Sequence, residues 1–438
     1  IMLGLLARPE AMSALMPVET WFVLSVILAP LGYVVQDVVA DAMTVEAVPT
    51  IDEAGQRIPA ETRRLMHTTM QTLGRVAIIG GGVFVALLNV LLFSGVDGMD
   101  DAQKLATYIR VYEFALLIPI ASVSGVLLGG LLKRRELRRL RGLGHDAAGA
   151  ERLFHGHAQQ TEPNWWILGG SLVFVAFTLA MGLGDLPYNE EIVFVGSLSI
   201  LSFLIMRLMR ELEPEARRVL LGTAILIFVF RATPSPGPGQ TWWMIDVLGF
   251  DQQFLSVLSL IGSGMALFGM FIFRRFMADH SIRYIVGFLT LLGTLLALPI
   301  LGMFYGLHVW TAAHTGGIVD ARFIALVDTA VESPLGQVAM IPMLAWIASS
   351  APVHLKATFF AVMASFTNLA LSLGQLGTKY LNQVFDITRE VKNRATDVVT
   401  VPADYSELGW LLTTVILLGL LLPFAAIALV KLTRLRSA

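Results

Sequence analysis

Apolar residues run in windows of about 20 along most of the chain, the length a helix needs to cross a hydrocarbon core. These windows lie near 20–46, 68–93, 108–132, 165–184, 191–207, 219–248, 254–273, 284–305, 322–350, 357–385 and 408–431, after an incomplete run at the start. Lipid offers no water to an open backbone, so the pattern predicts helices throughout. The window at 191–207 is the shortest. The one at 219–248 predicts a span with an internal break, because Pro234, Pro236 and Pro238 lack amide donors and clash with the preceding turn.

The polar stretches between windows alternate in charge. Arg57, Arg63 and Arg64 follow the first full window, the run Lys133–Arg141 the third, Arg207–Arg218 the fifth, Arg274–Arg283 the seventh and Lys356 the ninth. Lys431, Arg434 and Arg436 close the chain, whereas loops such as Ser94–Asp101 and Gly184–Glu191 are acidic. Basic loops stay in the cytoplasm, which places the C-terminus there too. The basic segment 133–164 is the longest cytoplasmic connection and separates two membrane halves.

Composition agrees with a polytopic membrane protein. Of 438 residues 55% are hydrophobic and only 15% charged, against about 25% in soluble domains. A net charge of −2 gives no reason to expect a nucleic-acid partner, and with no cysteine, thiolate metal sites and disulfides are excluded. The histidines lack metal-ligand spacing, no nucleophile–base set stands out, and no cofactor is expected. The chain opens with Ile inside an apolar run, which reads as the loss of an N-terminal part of a longer protein.

Against this oily background, buried polar residues are the candidates for function. Asp37 and Asp41 stand four apart on one face of the first full span. A charged residue at mid-bilayer costs roughly 2.5–3.5 kcal/mol even on the lenient insertion scale, so such acids face a partner or a wet path. At ~1.5 Å per residue, Asp37 and Asp41 lie about 13 and 8 Å inside the cytoplasmic end of their helix, and Arg75 and Gln71 about 15 and 9 Å inside the next. The depths match Asp37 with Arg75 and Asp41 with Gln71, either as a structural tie or as a proton site or gate. At the second place, Arg231 precedes the proline-rich break and Trp242 and Trp243 follow it. A guanidinium suits a carboxylate and indoles suit a planar ring; alternatively the break is an outer loop and the tryptophans belong to the interfacial belt. The third is a stripe at helical spacing, Ser365, Asn368, Ser372, Gln375, Lys379 and Asn382. It lines an aqueous path or bonds neighbouring helices. Lys379 needs water or an acid, for which Asp328 and Glu332, expected to begin the preceding helix near its outer end, are candidates.

Three segments in order, Asp37–Glu46, Ala232–Ser256 and Leu326–Ala370, resemble the folate–biopterin transporter family of the major facilitator superfamily. The resemblance implies an all-α polytopic membrane protein with two bundles around a central cavity, here N-terminally truncated and with an inserted helix hairpin between bundles. It divides the chain into an incomplete N-terminal bundle (1–132), a cytoplasmic basic linker (133–164), the inserted hairpin (165–207) and a C-terminal bundle (208–438). It places Asp37, Asp41, Arg231 and Asn368 on the family's charged and polar motif positions, and Asp328 on the acid that opens its tenth helix. Lys356 stands where the family commonly has an acid. The expected function is a proton-coupled secondary transporter of an organic anion of folate or pterin type, a monomer of the bacterial inner membrane. In that reading Arg231, Trp242, Trp243, Asn368 and Gln375 bind substrate, while Asp37, Asp41, Gln71, Arg75, Asp328 and Lys379 couple protons or gate. Muropeptide permeases of the same superfamily and a non-transporting assembly factor of the same fold are the alternatives.

Overall fold

The computed structural model describes residues 1–46, 48, 52, 56, 58–93, 99–142, 146, 149, 165–182, 184, 186–210, 212–336, 338, 340–350, 356–392, 398–433 and 435–437. The side chains of Asp37, Asp41, Gln71 and Lys356 lie outside the described set, although their backbones are helical.

Two compact units divide the chain, residues 1–70 with 81–161 and residues 71–80 with 162–438. The first holds α1 (Met2–Ala7), α2 (Pro9–Leu15), α3 (Val18–Glu46), most of α4 (Ala60–Leu92), α5 (Asp101–Ala115) and α6 (Leu117–Gly142). Asp100 starts α5 with a reciprocal cap, accepting from the Gln103 amide at 2.7 Å while the Gln103 side chain accepts from the Asp100 amide at 3.2 Å. Gln36 of α3 donates to Ser122 of α6 at 3.0 Å. A side-chain amide left bare in lipid is costly, so this bond ties two otherwise apolar surfaces.

The second unit begins with α7 (Trp165–Gly182) and α8 (Asn189–Met209), which pack together as a hairpin. Small residues allow the close approach: Gly196 of α8 meets the Phe177 ring of α7, and Gly170 of α7 meets Leu204 of α8. There follow α9 (Pro214–Arg231), α10 (Pro238–Asp246), α11 (Gln252–Ile272), α12 (Arg274–Asp279), α13 (Ile282–Leu296), α14 (Leu298–Phe304) and α15 (Leu307–His314). The unit closes with α16 (Ala321–Glu332), a 3-10 turn (Ser333–Leu335), α17 (Met340–Ser350), α18 (Lys356–Val384) and α19 (Leu408–Leu432). Helix α8 rests on α18, and α9 packs against both α18 and α19.

Among the described residues seven helical stretches are long and apolar enough to cross a membrane: Glu61–Leu92, Ala102–Gly142, Asn189–Met209, Gln253–Ile272, Ile282–Phe304, Ala321–Ile347 and Leu408–Leu432. An eighth is possible by the same measure if α2 and the first half of α3, bent by 89°, count as one span. Their outward faces carry large apolar side chains such as Val126, Val195, Phe268, Leu295 and Leu421. In water such surfaces would aggregate, whereas in a bilayer they meet their own kind. The protein is an all-α, multi-pass membrane protein.

Two windows that read as continuous are jointed. The window at 322–350 breaks at the 3-10 turn, where Pro334 withholds an amide donor from the helix. That places Asp328 and Glu332 in the last turns of α16, directly before the joint, and corrects the expectation that they begin their helix. The same joint lies against α11, where a Cβ on Gly269 would overlap the Pro334 backbone. Pro299 likewise parts α14 from α13. Beyond the helices, Val391–Lys392 and Val399–Val401 pair antiparallel as a short ladder between α18 and α19.

Among the described residues, three apolar clusters hold the second unit together. Trp243, Phe250, Met303, Leu408, Leu411 and Leu412 form one. Met270, Met277, Ile285, Leu289, Val338 and Ile341 form another, on which Val76 and Ile79 of α4 pack. Leu226, Ala426 and Val430 join α9 to α19.

Candidate functional site

The proline-rich break between α9 and α10 is where the sequence and the fold converge. Helix α9 ends at Arg231, with the Ala232 amide still bonded to the Phe228 carbonyl, and the chain crosses Thr233–Gly237 without helical bonds before Pro238 starts α10 at a position where a missing amide costs nothing. Gly237 has φ of +74°, a conformation that a side chain would strain. The polar groups freed by the break are met by α18. Thr378 Oγ1 accepts from the Ser235 amide at 2.9 Å, and Asn382 Nδ2 donates to the Pro236 carbonyl at 3.2 Å. Gly374 and Gly377 let the broken backbone lie directly on α18, facing Thr233 and Pro234 respectively. An interrupted membrane helix is tolerated where neighbours satisfy it in this way.

Below the break lies a cavity of about 300 Å³, lined by Arg231 and Phe230 of α9, Ile285 of α13, Met343 of α17, Leu371 of α18 and Arg75 among others. Arg75 belongs to the stretch 71–80 of α4 that forms part of the second unit. Arg231 is half-buried, and its guanidinium donates to the Met340 sulfur, a weak acceptor. Its Nε is buried without a hydrogen-bond partner. Leu371 is the sixteenth residue of α18, so the cavity reaches a level about 20 Å from either end of that helix. Arg231 thus brings a guanidinium whose Nε is unbonded to an apolar hollow with no carboxylate among its lining residues, and a guanidinium suits a carboxylate.

The other sequence candidates divide. Asn368 and Gln375 are exposed on α18, at positions three before and four after Leu371, so they share the face that reaches the cavity without lining it. Trp242 is half-buried on α10. Trp243 is only 3% exposed and packs in the core cluster it shares with Phe250 and Leu408, its ring 5.8 Å from that of Phe304 at an interplanar angle of 55°. No face of this indole is open to a ligand, which corrects the expectation that it binds substrate: α10 turns Trp243 inward because its neighbours there are Phe250, Leu408 and Leu411. For Asp37, Asp41 and Gln71 the matched pairs fall outside the described residues.

Lys379 finds its acid elsewhere than expected. Its ammonium lies 2.9 Å from Glu190 and 3.1 Å from Glu191 at the start of α8, and the Tyr380 hydroxyl donates to Glu191 at 2.7 Å. Asp328, offered as a partner from sequence, instead keeps its Oδ1 buried and unbonded in α16. The correction follows from topology: α8 rests on α18, whereas α16 packs on α11 and the 3-10 turn. The acidic stretch Gly184–Glu191 carried the signal, since its Glu190 and Glu191 lie beside Lys379 near the end of α18. A second cluster, missed from sequence, fastens the segment before α19. Arg389 forks onto Asp246 at 3.0 and 3.2 Å, and the Tyr405 hydroxyl donates to the same carboxylate at 2.6 Å. Burial, followed by that hydrogen bond, pushes the Tyr405 phenol up to about 12.

Comparison with known proteins agrees with this architecture. Residues 171–435 match the sequence profile of the BT1 family, well over half of the chain. A folate-biopterin transporter of Synechocystis sp. (strain ATCC 27184 / PCC 6803 / Kazusa) is 30% identical over 169 residues, 38% of this chain and 33% of that protein. The chain therefore spans about a third of the curated relative it matches, and no solved structure matches it. With the matched region running from α7 to the end of α19 and taking in the broken helix, the cavity's Arg231 and the polar face of α18, the chain belongs to the BT1 family, the folate–biopterin transporter family.

Proposed function

We propose that this chain belongs to a secondary active transporter that moves an organic anion of folate or pterin type across the bacterial inner membrane by alternating access, coupled to protons. The observation that carries the reading is the cavity under the α9–α10 break, an apolar hollow lined by Arg231, whose Nε is unbonded. The name of the cyanobacterial relative supports the substrate class. A purely structural membrane factor would fill such a centre with apolar side chains, and an enzyme would need a nucleophile or metal set, so transport is the better account.

In this reading Arg231 holds a carboxylate and Asn368 and Gln375 line the route. Asp37, Asp41, Gln71, Asp328 and Lys379 couple protons or gate. Residues 1–132 and 208–438 form the two bundles, with 133–164 as a cytoplasmic linker and 165–207 as a hairpin between them. The basic loops and the C-terminus face the cytoplasm. Uptake of labelled folate into proteoliposomes of the full-length protein, driven by an imposed pH gradient, tests the proposal. Arg231→Ala and Asp37→Asn are expected to abolish gradient-driven uptake. Uptake unchanged in both would contradict it.

A further inference from the structure

We infer that Arg75 and Arg231 act as a pair, so that the cavity selects a two-headed organic anion, a dicarboxylate, over a singly charged one. The inference rests on the transport reading above and names the ligand chemistry of its site. Both guanidiniums line one cavity, and the ten other lining residues are apolar. Two like charges in a poorly polarisable hollow repel one another, and a single carboxylate neutralises only one of them. Two carboxylates on one molecule neutralise both, each received by a planar fork of donors. Arg231 has such donors to spare, with Nε unbonded and an amino group turned to a sulfur.

Size argues for a spaced pair of charges rather than a compact ion. A volume of about 300 Å³ is some ten times a water's share of roughly 30 Å³, more than a tetrahedral oxyanion fills. Phe230, Met343 and Leu371 supply apolar wall against which a methylene linker packs. The depth match between Arg75 and Asp37 offers a competing role, in which Asp37 neutralises Arg75 and leaves Arg231 to act alone.

The test uses the full-length protein in detergent and calorimetric titration with glutarate, monomethyl glutarate and inorganic phosphate. Glutarate is expected to bind about tenfold or more tightly than the monoester, the difference a charge-assisted contact makes. Arg75→Gln should bring that preference to within about twofold, Arg75→Lys should retain it, and Arg231→Gln should weaken both ligands. The pair is overturned if the wild type binds monoester as well as glutarate, if phosphate competes equally, or if Arg75→Gln keeps the full preference, as pairing with Asp37 would require. An unchanged preference in Arg75→Gln together with lost binding in Arg231→Gln sinks the pair alone and spares the one-carboxylate reading. If glutarate and the monoester both fail to bind the wild type, both readings fall. Should Arg75→Gln not elute as a single folded species, the wild-type preference and the Arg75→Lys variant decide.

Discussion

Replacing Trp243 separates a core residue from a ligand platform. Its indole is 3% exposed among Phe250, Met303, Leu408 and Leu411, so truncation to alanine leaves a void instead of a vacant binding surface. The change removes on the order of 140 Å³, and at about 24 cal/mol per Å³ of unrelaxed cavity that amounts to ~3 kcal/mol. Trp243→Phe removes roughly 40 Å³ and should cost about 1 kcal/mol on the same scale. Packing contacts are lost in lipid as in water, so the estimate carries over to a membrane protein. Reversible denaturation in mixed micelles measures the loss, and titration of an anionic ligand on the folded fraction measures binding. The expected pattern is a graded loss of stability from Phe to Ala with affinity nearly unchanged. A Trp243→Ala variant of wild-type stability that no longer binds would refute the reasoning.

Three other outcomes follow from particular contacts. Lys379→Met removes the ammonium held by Glu190 and Glu191, so amide hydrogen exchange at 189–194 should quicken, and an unchanged rate would show that the cluster does not hold α8 to α18. Gly269→Ala forces a Cβ into the Pro334 backbone, which cannot yield as a flexible side chain would, and should lower stability in micelles by about 1–3 kcal/mol; wild-type stability would mean the joint moves freely. Because the Tyr405 phenol titrates at about 12 instead of about 10, its contribution to stability is fully present below pH ~10 and is lost as pH rises through ~12. Absorbance at the phenolate band, wild type against Tyr405→Phe, should show this late step; a difference spectrum that titrates near 10 would contradict the burial and the bond to Asp246.

Much of the fold is legible in the sequence because lipid imposes one dominant rule. Windows of apolar residues mark the spans from α3 to α19, and the proline and glycine cluster marks the break that ends α9 at Arg231. Local chemistry suffices there, since proline's missing donor acts wherever it falls. Side-chain facing is harder. Trp242 and Trp243 are adjacent and chemically identical, and only the seating of a nine-residue helix on Phe304 and Leu408 decides which is buried. The partner of Lys379 lies 188 and 189 residues away on α8, so no spacing rule reaches it. Asp328 is hard to place for a simpler reason: Pro334 ends its helix early, while the apolar window runs on past that proline. The ladder of β1 (Val391–Lys392) and β2 (Val399–Val401) has too few residues to show an alternating pattern.

The central claim is that an organic anion occupies the cavity beneath the break and is held there by Arg231. Modification of arginines by phenylglyoxal, followed residue by residue by mass spectrometry on the full-length protein, reads this directly. Folate present during the reaction should slow modification of Arg231 markedly while leaving the exposed Arg275, on the short α12, reacting at its original rate. Modification of Arg231 at the same rate with and without folate would contradict the account.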